Sequence, residues 1–155
     1  LFEGTNLSEG RGTTRPFEIC GAPWIDGESL ARRLAAFDLP GVVFRPLTFR
    51  PTFHKHADVD CGGVQVHVTD RGVFRPVRAG LALLAEMRRQ DPGRFAWRTE
   101  PYEFVVDPIA IDLLFGSDRE RLAIEAGVDW MEIATAWEAE ERAFDDRRRA
   151  AWLYD

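Results

Sequence analysis

The sequence predicts an α+β domain in which a mixed β-sheet is covered by helices. Residues 63–70 alternate Val64, Val66 and Val68 with polar side chains, a period of two that is typical of a strand with one face in the core. Further along, Pro76 stands where a first-turn proline opens a helix. Strands and helices follow one another without a regular βαβ rhythm, which favours α+β over α/β. The 155 residues, 45% of them hydrophobic, can form one core, so a single compact domain is expected.

The first half of the chain is predicted to alternate strands with one helix. Asp26 is a suitable N-cap for a helix over 27–37. Pro46 and Pro51 place the continuation of the second strand at a sheet edge or in an irregular loop, because proline cannot donate to a strand ladder. Besides 63–70, strands are predicted at 16–20 and 42–44, and a long loop at 49–60 carries His54 and His56.

The second half is predicted to be mostly helical. Ser117 and Glu120 form a capping box for a helix that ends at Ala126. A second capping device at Asp129 starts the longest helix, which runs to about Ala151. Its apolar residues recur at helical spacing and are predicted to face the core: Trp130, Ile133, Trp137, Phe144 and Ala151. The other predicted elements are a helix at 76–90, short strands at 95–98 and 102–105, and a short helix at 109–115.

Charge and cysteine content limit the classes of partner. Twenty basic and 26 acidic residues give a net charge of −6, which argues against nucleic acid as a partner. No apolar run approaches the roughly 20 residues of a membrane-spanning helix, so no membrane span is predicted. Cys20 and Cys61 lack Cys-x-x-Cys spacing, which favours packed free thiols and leaves a disulfide between them open.

The least core-like part of the sequence is the glycine-rich loop, residues 2–14. It contains three glycines and two carboxylates, and glycine lets the backbone turn tightly and approach a ligand closely. A phosphate-binding loop is excluded, because that motif needs lysine and then Ser or Thr where Arg11 and Gly12 stand. The alternative is a tight surface turn in which Glu9 and Arg11 pair with each other or with water.

The polar face of the strand at 63–70 is a second candidate. Gln65, His67 and Thr69 alternate with the valines and lead into Asp70. A solvated outer face explains such a row, but surfaces favour Lys, Glu and Ser. We therefore predict that Gln65 and His67 face the same cleft as the glycine-rich loop, with the three valines buried behind them.

Long runs of the sequence resemble one protein family. The similarity lies in FEGTNLSEGRGTTRPFEICGAPW, LPGVVFRPLTFRPTF, CGGVQVHVTDR, FRPVRAGLALL, PYEFV and IDLLFGSD. These runs are similar to the C-terminal half of the NamZ-type exo-β-N-acetylmuramidases, a family long catalogued as a domain of unknown function. The resemblance covers nearly the whole chain.

The resemblance implies a glycosidase that releases terminal N-acetylmuramic acid from peptidoglycan fragments. In that family a Rossmann-like domain precedes this one, and the active site lies between the two. Residues 1–155 are therefore interpreted as the C-terminal half of a two-domain enzyme, and the first residue, Leu1, agrees with a piece of a longer protein. The implied partners are a muropeptide or muramic-acid-containing disaccharide and the protein's own N-terminal domain. A cell-wall substrate favours a secreted or envelope location.

Cleavage of a glycosidic bond needs a carboxylic acid and usually a second carboxylate. Within the matching motifs, Glu9, beside Arg11, is predicted to be catalytic. Asp70 is predicted to be its partner carboxylate or the group that orients His67. Glu3 is predicted to be a supporting hydrogen-bonding residue of the substrate site. The alternative is that the catalytic carboxylate lies in the other domain and that this half only binds sugar.

Muramic acid offers a lactyl carboxylate, hydroxyls and an acetamido group. A planar guanidinium binds a carboxylate through two parallel hydrogen bonds, which suits Arg11 or Arg71. The hydroxyls and the acetamido group are predicted to meet Asn6, Ser8, Thr13, Gln65 and His67.

No metal or other cofactor is predicted. His54 and His56 have metal-ligating side chains, but Lys55 stands between them, which favours a solvated turn. Two other classes of function stay open. One is a non-catalytic carbohydrate-binding module, and the other is a structural half that completes its partner domain.

Overall fold

A computed structural model describes residues 1–154 and shows an α+β domain built on a three-stranded sheet. The strands are β1 (Ile19–Ala22), β2 (Val42–Phe49) and β3 (Cys61–Val68), in the order β1-β3-β2. The helices are α1 (Gly27–Ala35), α2 (Pro76–Gln90), α3 (Ala110–Phe115), α4 (Arg119–Glu125), α5 (Trp130–Ala136) and α6 (Glu138–Arg148). The predicted class is confirmed, but both strand pairings are antiparallel, so the sheet is not mixed. A loop without a crossover helix joins β2 to β3, and such a connection gives antiparallel neighbours.

One face of the sheet packs against α1, which packs in turn against α2, and the three share one core. Val64 is fully buried there, and Val66 packs against the same core. Neighbouring strands and helices complete this core with Cys20, Ala22, Phe44, Leu30, Leu34, Leu81 and Leu84. The predicted burial is therefore confirmed for Val64, and Val66 is partly buried. Val68 is 43% exposed, because it lies at the end of β3 beyond the stretch that β1 covers.

The opposite face of the sheet is less polar than predicted. Paired residues point to the same side of a sheet, so Ile19 of β1 lies in one row with Gln65 and Arg45. Ile19 also packs with Phe49 and Cys61 in a small second core. Gln65 is buried on this face, whereas Arg45 beside it and His67 at the far end are exposed.

Local signals placed the first two helices well. Asp26 caps α1, since its Oδ1 accepts a hydrogen bond from Ser29 N at 3.0 Å, although α1 ends two residues earlier than predicted. The bounds of α2 are those predicted. β2 is an edge strand that continues through Pro46 to Phe49, as the proline rule allows.

The segments at 95–98 and 102–105 are not strands. Each forms one isolated backbone pair, Thr5 with Trp97 and Tyr102 with Val105, because neither segment reaches the edge of the sheet. The capping box is also incomplete. Ser117 bonds the side chain of Glu120, and no capping side-chain bond is formed at the start of α4.

The prediction of one long C-terminal helix is wrong, because the chain breaks at Trp137 into the two helices α5 and α6. At the break Trp137 N donates to the carbonyl oxygen of Ala134, three residues back instead of four. The indole Nε1 of Trp137 donates to Glu120 Oε1 at 2.9 Å. Trp130 is buried as predicted, but Phe144 is 58% exposed and no residue of α6 is buried. The apolar stripe therefore faces the core only as far as Trp137. No helix within residues 1–154 is long and apolar enough to cross a membrane.

The two cysteines are free and buried. Cys20 pairs with Val64 and therefore points to the main core, while Cys61 belongs to the second core on the other face. Burial raises the pKa of the Cys20 thiol to about 12, and burial together with Asp60 raises that of Cys61 to about 11. Both thiols are therefore packing groups with little thiolate at neutral pH.

Glu86 on α2 is a buried carboxylate between two arginines. It accepts from Arg33 Nε at 3.1 Å and Nη2 at 3.0 Å, and from Arg89 Nε at 2.9 Å. Burial alone would raise the pKa of Glu86, but the bonds from Arg33 and Arg89 outweigh burial and hold it below its ordinary value of 4.5. A carboxyl whose pKa is lower in the folded state adds stability above its unfolded pKa, and that stability is lost as the pH falls.

We expect Glu86→Gln to lower the free energy of unfolding by about 1 kcal/mol at neutral pH, because the arginine partners are partly exposed and screened. The loss should shrink below pH 4.5, where the unfolded wild-type carboxyl is already protonated. Denaturant unfolding at several pH values measures both effects. Glu140→Gln, which removes an exposed pair with Arg119, is the control and should change little. An equal loss at every pH would show that the charge of Glu86 is not responsible.

Candidate functional site

The glycine-rich loop lies beside β1 and is fixed by the backbone. Ser8 and Gly21 exchange both hydrogen bonds, at 2.8 and 3.1 Å, and Leu7 is fully buried in the core. The chain then turns with a φ of 83° at Gly12, where a Cβ atom would lie 2.6 Å from the carbonyl oxygen of Phe53. Only glycine fits that close approach.

Residues 50–60, the covering loop, fold over the glycine-rich loop. Thr52 N donates to Gly12 O at 2.9 Å, and His56 Nε2 lies 2.8 Å from the carbonyl oxygen of Asn6. Lys55 and His56 are both half-buried. The prediction of a solvated turn is therefore wrong, because the covering loop packs against the segment that holds Glu9.

Lys55 is the centre of this packing. Its Nζ donates to Phe2 O at 2.8 Å, to Leu7 O at 3.0 Å and to Glu9 Oε2 at 2.8 Å, which uses all three N–H donors. Burial lowers the pKa of Lys55, and the adjoining Glu9 carboxylate opposes that effect. Lys55 thus ties two backbone carbonyls and one buried carboxylate together.

Glu9 is a buried carboxylate in which only one of the two oxygens has a hydrogen-bond partner. Only 2% of the residue is exposed, and Oε2 is bonded to Lys55. Oε1 lies 3.5 Å from Arg11 Nε and 3.4 Å from His54 Nδ1. Neither contact has hydrogen-bond geometry, so Oε1 has no hydrogen-bond partner within the described residues. An unsatisfied buried acceptor costs about 1–3 kcal/mol, which is a reason to look for its function.

A chain of polar contacts runs from Glu9 to the surface. Arg11 pairs with Glu9 through Nε and with Glu3 through Nη2. The other oxygen of Glu3 accepts from the Tyr102 hydroxyl at 3.1 Å. Burial and the bond to Glu3 raise the pKa of Tyr102. The Arg11 side chain is 38% exposed and lies over the ring of Phe17.

Backbone conformations that non-glycine residues rarely adopt are concentrated here. Six non-glycine residues among 1–154 have a positive φ: Phe17, His54, His56, Asp58, Glu103 and Phe104. Phe17 N bonds Glu9 O, the next three belong to the covering loop, and the last two form the turn that Tyr102 closes. Strained backbone of this kind clusters at functional sites, so its distribution supports a site around Glu9.

Three exposed phenylalanines belong to the segments that contain these residues or bond to them. Phe17 is 63% exposed, Phe53 is 62% exposed and Phe104 is fully exposed. These three residues are called the aromatic rim. Of the rim, Phe17 lies against Arg11. The polar residues linked to Glu9 are called the Glu9 cluster: Glu3, Glu9, Arg11, His54, Lys55 and Tyr102.

Of the predicted site residues, the structure brings Glu3, Glu9 and Arg11 together. The side chains of the other three predicted site residues in this loop already have hydrogen-bond partners within the domain. Asn6 bonds Arg94 O at 2.7 Å and Ala96 N at 3.0 Å, Ser8 Oγ accepts from Gly10 N at 3.2 Å, and Thr13 Oγ1 donates to Gly10 O at 2.7 Å. Their predicted contacts with sugar would require these bonds to be exchanged.

The four predicted residues of β3 and its turn lie elsewhere. Gln65 is buried and accepts from Arg45 Nη2 at 2.7 Å, so it does not line an open cleft. Asp70 Oδ1 accepts from Gly72 N at 2.8 Å in the turn after β3, and His67 and Arg71 are exposed. Within residues 1–154, no hydrogen bond or ion pair joins these four to Glu9 or Arg11, and none links Asp70 to His67. The expected common cleft is therefore not formed by these contacts.

A comparison with known families decides the classification. The family model described as exo-β-N-acetylmuramidase NamZ, C-terminal, matches residues 1–154. The chain belongs to this family. It is 40% identical over 154 residues to the peptidoglycan β-N-acetylmuramidase NamZ of Bacillus subtilis (strain 168), a match that covers 99% of this chain and 35% of that protein.

Two crystal structures of DUF1343 family proteins from Bacteroides fragilis NCTC 9343 share the fold. The first has a TM-score of 0.80 at 26% identity and covers 97% of this chain and 38% of that one. The second has a TM-score of 0.60 at 22% identity, covers 99% and 38%, and shows the fold alone. The chain therefore spans little more than a third of the length of these relatives.

The sequence of this NamZ C-terminal domain does not single out Lys55, His54 or Tyr102 as site residues. The available signal is the His-Lys-His run, three polar side chains placed together in a loop that also holds Pro51 and Phe53. Within residues 1–154 no group of three or more His, Cys, Asp or Glu side chains is arranged to hold a metal ion.

A cavity of about 560 Å³ lies away from the glycine-rich loop. It is lined by residues of α2, α3, α4 and α6, among them Arg78, Phe115 and Glu138, with Trp137 at the break before α6. Its walls carry none of the residues of the Glu9 cluster.

Proposed function

We propose that this chain is the C-terminal domain of a glycoside hydrolase that releases terminal N-acetylmuramic acid from peptidoglycan fragments. In this proposal the Glu9 cluster forms one wall of an active-site cleft, and an N-terminal Rossmann-like domain forms the other. The observation that carries it is the buried Glu9 carboxylate, held by Lys55 and left with one unsatisfied oxygen beside Arg11 and His54. Membership of the family and the name of the Bacillus subtilis relative support the substrate.

Arg11 is the group proposed to bind the lactyl carboxylate of muramic acid. Its guanidinium is fixed by Glu3 and Glu9, while Nη1 is not used in either pair. Because the two carboxylates fix the orientation of the guanidinium, its remaining N–H donors are free to bind a substrate carboxylate with defined geometry. In this arrangement Glu3 supports Arg11 and does not itself need to touch the sugar.

Glu9 is the carboxylate of this domain on which the chemistry is proposed to depend. Because only 2% of it is exposed, Glu9 acts through the groups that cover it unless they move aside. Glycosidic cleavage generally uses two carboxyl groups on either side of the scissile bond. Asp70 is bonded within its own turn, so the second carboxyl group is proposed to come from the other domain.

Arg11→Met in the longer enzyme is expected to lower kcat/KM for a muramide by about 100-fold or more, with little change in Tm. Arg11→Lys should be nearly as impaired, because a lysine keeps the charge but cannot form two parallel bonds. Arg15→Met is the matched control, since Arg15 pairs with Glu18 at the exposed end of the same segment. Unfolding without a specific kinetic defect would place Arg11 in a structural ion pair.

The aromatic rim favours one second candidate, a carbohydrate-binding module without chemistry. Phe17, Phe53 and Phe104 are exposed apolar surfaces of the kind that line ligand sites. Titrating N-acetylmuramic acid into the 155-residue chain separates the two functions. A module should bind the sugar alone, whereas half of a cleft should bind it weakly or not at all.

A further inference from the structure

His54 is the side chain through which the buried Glu9 carboxylate faces solvent. Its side chain is 37% exposed, against 3% for that of Glu9, and its Nδ1 lies 3.4 Å from Glu9 Oε1. A φ of 70° at His54 holds the covering loop in the turn that brings the ring there. A ligand that reaches this surface therefore meets the imidazole before it meets the carboxylate.

The groups around Glu9 favour one tautomer of the His54 imidazole. Lys55 already occupies Oε2, and Arg11 Nε stands on the other side of Oε1 at 3.5 Å. A carboxylate oxygen without another partner is an acceptor, so the tautomer with its proton on Nδ1 suits this position. In that tautomer the Nε2 lone pair points away from Glu9 and is available as an acceptor.

We propose that His54 is a ligand-contacting residue of this site. Its Nδ1–H donates to Glu9 Oε1, and its Nε2 accepts a hydrogen bond from a hydroxyl of the bound sugar. The identity of the sugar rests on the proposed function, and the contact itself rests on the geometry of Glu9 and His54. The distance of 3.4 Å between Nδ1 and Oε1 is long for a hydrogen bond, and we expect it to shorten when a bound sugar fixes the ring. Until the groups that cover it move aside, Glu9 acts through His54 and Arg11.

Two amide substitutions of His54 separate ligand contact from support of Glu9. The amide nitrogen of His54→Asn lies near the position of Nδ1, so it keeps the bond to Glu9 and loses the atom at Nε2. The amide of His54→Gln reaches the position of Nε2 instead. In the longer enzyme, His54→Asn and His54→Ala should lower kcat/KM for a muramide by about 100-fold, and His54→Gln should retain more activity. Full activity of His54→Asn would overturn the proposal, because His54 would then serve only to satisfy Glu9.

Arg50→Gln is the matched control, since Arg50 is an exposed residue of the same covering loop whose pair with Asp60 lies outside the cluster, and it should leave activity unchanged. An inactive wild-type enzyme would count against the proposed function, whereas an active enzyme insensitive to His54 would count against the inference. Nitrogen NMR of the 155-residue chain, which has three histidines, tests the geometry without any activity. The His54 ring should carry its proton on Nδ1, and Glu9→Leu should abolish that preference. A ring protonated on Nε2 alone would contradict the proposal.

Discussion

Lys55→Met is expected to destabilise the domain by about 3 kcal/mol, at the lower end of the range for breaking a buried ion pair because Lys55 keeps some contact with solvent. The substitution leaves the Glu9 carboxylate buried without its cation. It also leaves the carbonyl oxygens of Phe2 and Leu7 without the donor that now satisfies both. Denaturant unfolding at neutral pH measures the loss, and an unchanged m-value would show that the same structure unfolds.

Arg50→Met is the matched control for this experiment. Arg50 lies in the same covering loop and pairs with Asp60 through two hydrogen bonds, but both side chains are exposed. Exposed pairs contribute little, so its loss should be much smaller. In the double variant Glu9→Gln with Lys55→Met, part of the stability should return, because no buried charge is left uncompensated. A Lys55→Met variant as stable as Arg50→Met would show that the buried pair does not hold the two loops together.

Elements with strong local signals could be predicted from the sequence. α1 begins after a capping Asp26, α2 begins at Pro76, and β3 has regular alternation through Val64 and Val66. In each case the residues that determine the element lie within it or next to it. The composition of the glycine-rich loop predicted only a polar turn with Glu9 and Arg11 near each other, and the family resemblance was needed to propose them as site residues.

The break at Trp137 could not be predicted from periodicity, because apolar residues recur at helical spacing on both sides of it. What ends α5 is a tertiary contact, the indole of Trp137 bonded to Glu120 of α4. α6 then leaves the core, and Phe144 becomes exposed although its spacing is that of a buried residue. The spacing of apolar residues shows which side of a helix is apolar, not whether another element covers that side.

The rest of the candidate site depends on contacts between distant segments. Lys55 meets Glu9 across 46 positions, and Tyr102 meets Glu3 across 99. A pattern read along one segment carries no information about such pairs. Gln65 is a further example. The alternation along β3 predicts which face it lies on, but the contact with Arg45 of β2 cannot be predicted from β3 alone.

The 155-residue chain is expected to fold cooperatively and yet to release no N-acetylmuramic acid from a chromogenic muramide. The sheet and helices α1 to α5 share one main core, so a single unfolding transition is expected. The proposed chemistry, however, needs two carboxyl groups and the sugar contacts held within a fraction of an ångström of productive geometry. In this domain Glu9 is covered by Arg11 and His54, and Asp70 lies outside the cluster.

A thermal melt and an activity assay on the same preparation measure both parts of this expectation. Because the chain spans 35% of the length of its Bacillus subtilis relative, the missing groups are proposed to lie in the remaining part of such a protein. Activity should therefore appear in the longer protein, or when the N-terminal domain is added separately. The sharpest control is a longer protein with Glu9→Gln, which should lose activity while its N-terminal domain stays intact. Turnover by the 155-residue chain at a rate close to that of the longer protein would contradict the shared cleft, and it would place every essential group, including both carboxylates, within this domain.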